Sequence, residues 1–111
     1  MSGMSNKKQT PIISAIVCTY NRDLFLPKCL EALVAQTLNK DQYEVIVVDN
    51  NSTDNTSVIA KRFSETNRNF RVVQESKQGL APARNRGMRE ARSGIAAFTD
   101  DDAMPRADWL E

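Results

Sequence analysis

The sequence predicts an α/β domain built on a mainly parallel sheet, with elements in the order β-α-β-α-β-α-β. Two observations carry that prediction. Short β-branched runs alternate with longer segments whose apolar residues recur at helical spacing. The strand-like runs are also apolar on both faces, as parallel strands buried beneath helices are. Strands joined this way need right-handed helical crossovers, so the helices cover the sheet.

Residues 1–11 are polar, lack periodicity and end at Pro11, and they read as a flexible N-terminal arm ahead of a domain over 12–111. Ile12 to Thr19 is a strand rich in Ile and Val. Leu26, Cys29, Leu30, Leu33 and Val34 fall on one helical face, giving a helix over about 24–36 with Pro27 in its first turn. Glu44 to Val48 is a second buried strand, halted by Asp49-Asn50-Asn51-Ser52-Thr53-Asp54. That polar run reads as a loop feeding a helix, capped by Ser52 or Thr53, with Asp54 complementing the helix dipole. The helix continues through Val58, Ile59, Arg62 and Phe63 and fades at Asn67. Phe70 to Gln74 is a third strand, and Glu75 to Leu80 a loop containing Gly79. Pro82 opens a third helix with Ala83, Met88 and Ala91 inward, and Gly94 to Thr99 forms a fourth strand ending on Asp100-Asp101-Asp102.

Composition removes several functions. Fifteen Lys+Arg against fourteen Asp+Glu leave a net charge of +1, which gives no electrostatic basis for nucleic-acid binding. With no His, acid–base chemistry and metal binding fall mainly to carboxylates. Cys18 and Cys29 lie in apolar runs and read as buried thiols of a reducing compartment rather than as a zinc or redox pair. No stretch approaches the ~20 apolar residues that span a bilayer. Ile12–Cys18 is no signal-peptide core, being interrupted by Ser14 and followed by Thr19-Tyr20-Asn21-Arg22 without a cleavage pattern. The expected location is cytoplasmic or peripheral at the inner face of the membrane. The Asn-x-Ser/Thr matches at Asn50, Asn51 and Asn55 are then incidental.

In an open α/β sheet, ligands bind beyond the carboxyl ends of the strands. The first, second and fourth strands each deliver a polar cluster there. Capping chemistry accounts for Asn50 to Thr53. Asp49 directly follows four apolar residues and is expected on the rim itself. The Asp triplet is the strongest signal, because adjacent carboxylates repel by on the order of 1 kcal/mol per close pair even at high dielectric. Alternation along an extended segment lets Asp100 and Asp102 face one point with Asp101 turned away. Two hard oxygen donors completed by water and phosphate oxygens suit Mg²⁺ or Mn²⁺. Lys77, Arg84 and Arg86 are candidates to neutralise a diphosphate, whereas Arg89 and Arg92 read as a solvated face. Tyr20 is a candidate to stack on a base.

These motifs resemble glycosyltransferase family 2. Ile16-Val17-Cys18-Thr19-Tyr20-Asn21-Arg22, Val45-Ile46-Val47-Val48-Asp49-Asn50-Asn51-Ser52-Thr53-Asp54, Ala83-Arg84-Asn85-Arg86-Gly87 and Phe98-Thr99-Asp100-Asp101-Asp102 occur in that family's order and approximate spacing. The resemblance spans 12–111 and implies the Rossmann-like, nucleotide-sugar-binding half of a GT-A fold, incomplete at its C-terminus. It implies an inverting transferase that passes a sugar from a nucleotide diphosphate, UDP above all, to the hydroxyl of an acceptor saccharide or lipid-linked saccharide. Thr19 and Tyr20 then line the nucleoside pocket, Asp49 bonds the base and Arg84 lies near the phosphates. Asp100-Asp101-Asp102 becomes the Asp-x-Asp motif, with Asp102 the principal metal contact, Asp100 beside it, and Asp100 or Asp101 reaching the ribose or sugar. Ser93-Gly94 stands where the family usually has Gly followed by a polar residue, a difference expected to alter the turn more than the site.

The family's general base, a later carboxylate, is expected beyond Glu111. Asp108 and Glu111 lie too close to the metal motif to fill that role, so the chain alone is expected to bind donor without transferring it. A sheet left partly uncovered is expected to favour self-association. Cell-wall, capsule or exopolysaccharide assembly is the usual setting of the family. Three alternative classes lack their required motif in this sequence. Nucleotidyltransferases and dinucleotide-binding dehydrogenases need a Gly-rich loop after a strand, absent here. A non-catalytic or phospho-acceptor Mg-binding α/β module needs an acidic pair ending the first strand, where this sequence has none.

Overall fold

The computed structural model describes residues 10–111, so most of the expected 1–11 arm lies outside the described residues. The elements are β1 (Ile13–Thr19), α1 (Leu26–Val34), β2 (Tyr43–Asp49), α2 (Thr56–Thr66), β3 (Phe70–Gln74), α3 (Leu80–Glu90) and β4 (Ala96–Asp100). The order matches the sequence reading, and all pairings in the single sheet are parallel. Strands lie in the order β3-β2-β1-β4.

Burial follows from the double-sided apolar runs. Residues Ala15, Ile16, Val17, Val45, Ile46, Val47 and Val48 are all fully buried. One set points to a layer with Leu26, Cys29, Leu30 and Leu33 of α1 and Ala60 of α2. The alternate set, Ile16, Ile46 and Val48, meets Ala83 of α3. Each such aliphatic side chain contributes roughly 1.5–3 kcal/mol on burial, and together they clamp the sheet between α1 and α2 on one face and α3 on the other.

Several boundaries differ from expectation for local reasons. Helix α1 is shorter at both ends: Leu24 is exposed, and Gln36 uses its amide to bond the carbonyls of Ala32 and Arg106 at 3.2 and 2.7 Å. That anchor, with Leu110 N donating to Gln36 Oε1 at 3.1 Å, folds the C-terminal segment back onto α1 and buries Leu110. Helix α3 begins at Leu80 rather than Pro82, after Gly79 turns the chain at φ 128°, a conformation suited to glycine. Pro82 then sits in the first turn, where its missing N–H is of no consequence. The inward residues of α3 are Ala83 and Gly87; Met88, expected inside, is exposed. Gly87 allows the helix to lie so close to the sheet that an added Cβ would stand 2.5 Å from Ile16 Cγ2. Strand β4 starts two residues late, at Ala96, and extends to Asp100.

This winding creates the site. From β1 the chain steps to β2 and β3 on one side, then returns through α3 to lay β4 on the other side of β1. Strand order therefore reverses between β1 and β4, the point where a parallel sheet leaves a crevice beyond its carboxyl ends.

Candidate functional site

A cavity of about 590 Å³ opens at that reversal. Cys18, Thr19, Tyr20 and Arg22 reach it from the end of β1 and just beyond, Asn50 from just after β2, Gln78, Gly79, Leu80, Ala83 and Arg84 from the approach and start of α3, and Phe98 to Asp102 from β4 and the turn after it. Tyr20 is 47% exposed and lines the cavity. Thr19, Tyr20, Arg84, Asp100, Asp101 and Asp102 are thus brought together.

Asp49 is not on the open rim. It is 1% exposed, its Oδ1 accepts from Ser52 N at 3.1 Å and its Oδ2 from Gln74 Nε2 at 3.3 Å. A strand-ending carboxylate can turn down to bond the loop that follows it, which sequence position alone does not reveal. The cavity wall is supplied instead by Asn50, a residue that capping seemed to explain. Its Nδ2 donates to the carbonyls of Glu75 and Lys77 at 2.9 and 2.8 Å, and its Oδ1 accepts from Gly79 N at 2.8 Å. One buried amide therefore holds the loop before α3 against the end of β2.

The expected caps also act differently. Neither Ser52 nor Thr53 caps α2, whose first residues are served by Asp54 Oδ1 accepting from Thr56 N at 2.9 Å. Ser52 Oγ accepts from Asn21 N at 3.0 Å, while Asn21 Oδ1 accepts from Thr53 N at 2.7 Å and Asp54 N at 3.3 Å. Asn21 holds φ 50°, a left-handed conformation that Asn tolerates well. It stitches the β1–α1 loop to the β2–α2 loop.

The basic residues separate. Arg86 pairs with Glu90 at 3.1 Å and Glu75 at 3.9 Å, and donates to Gln74 O at 2.8 Å, so it is committed to structure rather than to a phosphate. Arg89 also pairs with Glu75, at 3.8 Å. The Lys77 side chain is absent from the cavity lining, to which its loop contributes through Asn50. Arg84 differs: it lines the cavity with its guanidinium 5.3 Å from the centre of the Phe98 ring. The ring supports the cation from one face and leaves its donors for an anion.

On the acidic turn, Asp100 and Asp102 are exposed, while Asp101 is 8% exposed. The strand ends at Asp100 and residues 101–102 form a turn, so strand alternation does not govern them. Asp101 is committed inward by that turn: Oδ2 accepts from Thr19 Oγ1 at 2.9 Å and Oδ1 lies 3.8 Å from Arg22 Nε. Burial raises its carboxyl above the ordinary range, against the opposing pull of the Thr19 hydrogen bond and the Arg22 charge. Asp101, expected with Asp100 as a candidate to reach ribose or sugar, lines the cavity while making this internal contact. Among the described residues no three metal-ligating side chains converge. Two exposed carboxylates in one cavity nevertheless fit a hard divalent cation whose other positions are filled by water and ligand oxygens. Burial also pushes the Cys18 thiol up to about 11 and Cys29 to about 12, keeping both neutral and unreactive at physiological pH.

Fold and site together define a Rossmann-like α/β domain with its ligand crevice at the switch point. Within that class the sequence decides the family: the profile described as Glycosyl transferase family 2 matches residues 14–111. The chain belongs to glycosyltransferase family 2, and its fold is that of the GT-A enzymes. It is 41% identical over 102 residues to glycosyltransferase AglE of Haloferax volcanii, covering 91% of this chain and 34% of that protein. It is 33% identical over 102 residues to a validoxylamine A glucosyltransferase of Streptomyces hygroscopicus, covering 91% of this chain and 22% of that protein. Among solved structures, it matches the mannosyltransferase PcManGT of Pyrobaculum calidifontis, in complex with GDP-Man and Mn²⁺, at TM-score 0.79 and 35% identity over 86% of this chain and 28% of that one. It matches S. aureus TarS in complex with UDP at TM-score 0.83 and 31% identity, over 89% of this chain and 30% of that one. The chain spans about a third or less of the length of these relatives.

Proposed function

We propose that this chain is the donor-binding part of an inverting glycosyltransferase that takes a sugar from a nucleoside diphosphate, preferentially UDP, with a divalent cation. The observation that carries this reading is the pairing, in one switch-point cavity, of an arginine without a carboxylate partner among the described residues with two exposed carboxylates. A diphosphate bridged to a cation presents the complementary charges. Thr19 and Tyr20 line the nucleoside side, with the Tyr20 ring available to stack. Arg84, braced on Phe98, takes phosphate oxygens. Asp102, with Asp100 beside it, would hold Mn²⁺ or Mg²⁺, and Asp49 holds the turn that carries Asn50 into the cavity wall. A cation held there would supply charge stabilisation for a departing diphosphate. That a relative's structure holds GDP-Man and Mn²⁺, and that TarS has been seen with UDP and with UDP-GlcNAc, supports the ligand class.

Transfer also needs a base to deprotonate the acceptor hydroxyl. Asp108 pairs with Arg106 at 3.4 Å and Glu111 bonds Thr37 beside α1, so neither is assigned that task. Transfer to a saccharide acceptor is accordingly proposed for a longer protein containing this portion. A cytoplasmic site of action accords with the supply of nucleotide sugars; no helix among the described residues is long and apolar enough to cross a membrane. Calorimetric titration of UDP, GDP, CDP and ADP in Mn²⁺ tests the proposal. UDP is expected to bind at least about tenfold tighter than the others, a difference of ~1.4 kcal/mol. Tighter GDP binding would overturn the UDP assignment, and saturation by none of the four would overturn the donor reading.

A further inference from the structure

The middle carboxylate of the acidic turn is buried where both neighbours are exposed, and burying a carboxylate is costly unless it is bonded. Thr19 and the backbone of Arg22 are themselves fixed. Thr19 is 3% exposed at the end of β1, and its carbonyl accepts from Asn50 N at 2.9 Å. Arg22 N donates to Thr56 Oγ1 at 2.9 Å, and the Arg22 carbonyl accepts from Phe25 N and Leu26 N at 3.0 and 2.9 Å. Asn21, between them, is bound to Thr53 and Asp54. Asp101 therefore ties the turn that follows β4 to the most interconnected part of the site. The turn itself is closed by a single backbone bond, Ala103 N to Asp100 O at 3.1 Å.

We propose that Asp101 is a positioning residue: through Thr19 and Arg22 it fixes the direction in which Asp100 and Asp102 present their carboxylates, and it does not itself contact donor or cation. The inference rests on the donor–cation reading above. Loss of the Thr19 hydroxyl should then loosen the acidic pair, although Thr19→Val removes no carboxylate and barely changes volume.

The test has two arms. Without ligand, deuterium exchange at the amides of residues 100–103 should quicken in Thr19→Val and in Arg22→Gln, and return to the parental rate in Thr19→Ser, which keeps the donor. With ligand, Thr19→Val should weaken Mn²⁺-dependent UDP binding by about 10-fold, as loss of an outer-sphere partner typically does. The double variant Thr19→Val/Asp101→Ala should be no weaker than Asp101→Ala alone, since Thr19 acts through that carboxylate. Unchanged exchange in both Thr19→Val and Arg22→Gln would overturn the proposal. So would a loss of affinity in Asp101→Asn with none in either Thr19→Val or Arg22→Gln, which would make Asp101 a direct ligand. Should the parent chain bind no UDP in Mn²⁺, the donor reading fails, and the exchange arm alone decides whether the clamp exists.

Discussion

Gly87→Ala should destabilise the domain although alanine is the better helix former. Gly87 lies in the second half of α3, buried against β1 and β2. The new Cβ would stand 2.5 Å from Ile16 Cγ2 and 3.3 Å from Val48 Cγ2. Carbon pairs rest at about 3.5–4.0 Å, so the first contact is roughly 1 Å too short. Neither neighbour can yield cheaply, because both are β-branched, fully buried and held in adjacent strands. Helix propensity favours alanine by ~0.8–1 kcal/mol, whereas overpacking a core costs ~1–3 kcal/mol. With the contact at the severe end, the net loss is about 1–2 kcal/mol, or a fall in Tm of roughly 5–15 °C for a domain of this size. Urea denaturation should show a lower midpoint at unchanged slope. Gly94→Ala, whose Cβ meets nothing within 4 Å, is the control and should stay within ~0.5 kcal/mol of the parent. In an Ile16→Ala background the penalty should vanish. A Gly87→Ala protein as stable as the parent would refute the reasoning. Because Arg84 rides on the same helix, nucleotide affinity should fall along with stability.

Two further outcomes follow from the same contacts. Asn50→Ala leaves Gly79 N and the carbonyls of Glu75 and Lys77 without their buried partner; denaturation should show a loss of ~1–3 kcal/mol, and amide exchange should quicken across residues 75–79. Glu90 accepts from Arg71 Nη1 at 2.9 Å and Arg86 Nε at 3.1 Å, bonds that lower its pKa below the ordinary 4.5. A depressed carboxyl contributes stability that is fully present above its unfolded-state pKa and lost as pH falls through the folded one. Glu90→Gln should therefore flatten the acid limb of the stability curve below pH 4.5, and an unaltered limb would count against the ion-pair account.

What the sequence revealed depended on whether local pattern or distant contact decided the outcome. Strands β1 and β2 were legible because burial on both faces leaves an unbroken apolar run, and β3 was placed to the residue. Helix α3 was placed two residues late because Pro82 is a conspicuous opening signal, whereas Gly79 reveals its φ of 128° only in the folded chain. The acidic triplet announced itself through the repulsion it must overcome, but the alternation expected of it assumed a strand where residues 101–102 form a turn. That Asp101 meets Thr19, 82 positions away, could not be read from spacing. Asn21 and Asn50 were hidden for the same reason: their partners lie some thirty positions on, and locally each reads as an ordinary loop residue. Asp49 misled in the other direction, since a carboxylate that ends a strand can turn inward as readily as outward. Arg86 and Arg84, two positions apart on one helix, were separated by Glu90 one turn on in the same helix and by Glu75 in the loop after β3, both of which pair with Arg86.

The central claim is that the switch-point cavity holds a nucleoside diphosphate through a cation carried by Asp102 with Asp100. Calorimetric titration of UDP into the parent chain and Asp102→Ala, each with and without Mn²⁺, tests it most directly. The parent should bind UDP at least about tenfold tighter with Mn²⁺ than without, and Asp102→Ala should lose that difference while keeping the cation-independent affinity. Equal binding by the parent in both conditions, or a full Mn²⁺ effect surviving in Asp102→Ala, would contradict the assignment.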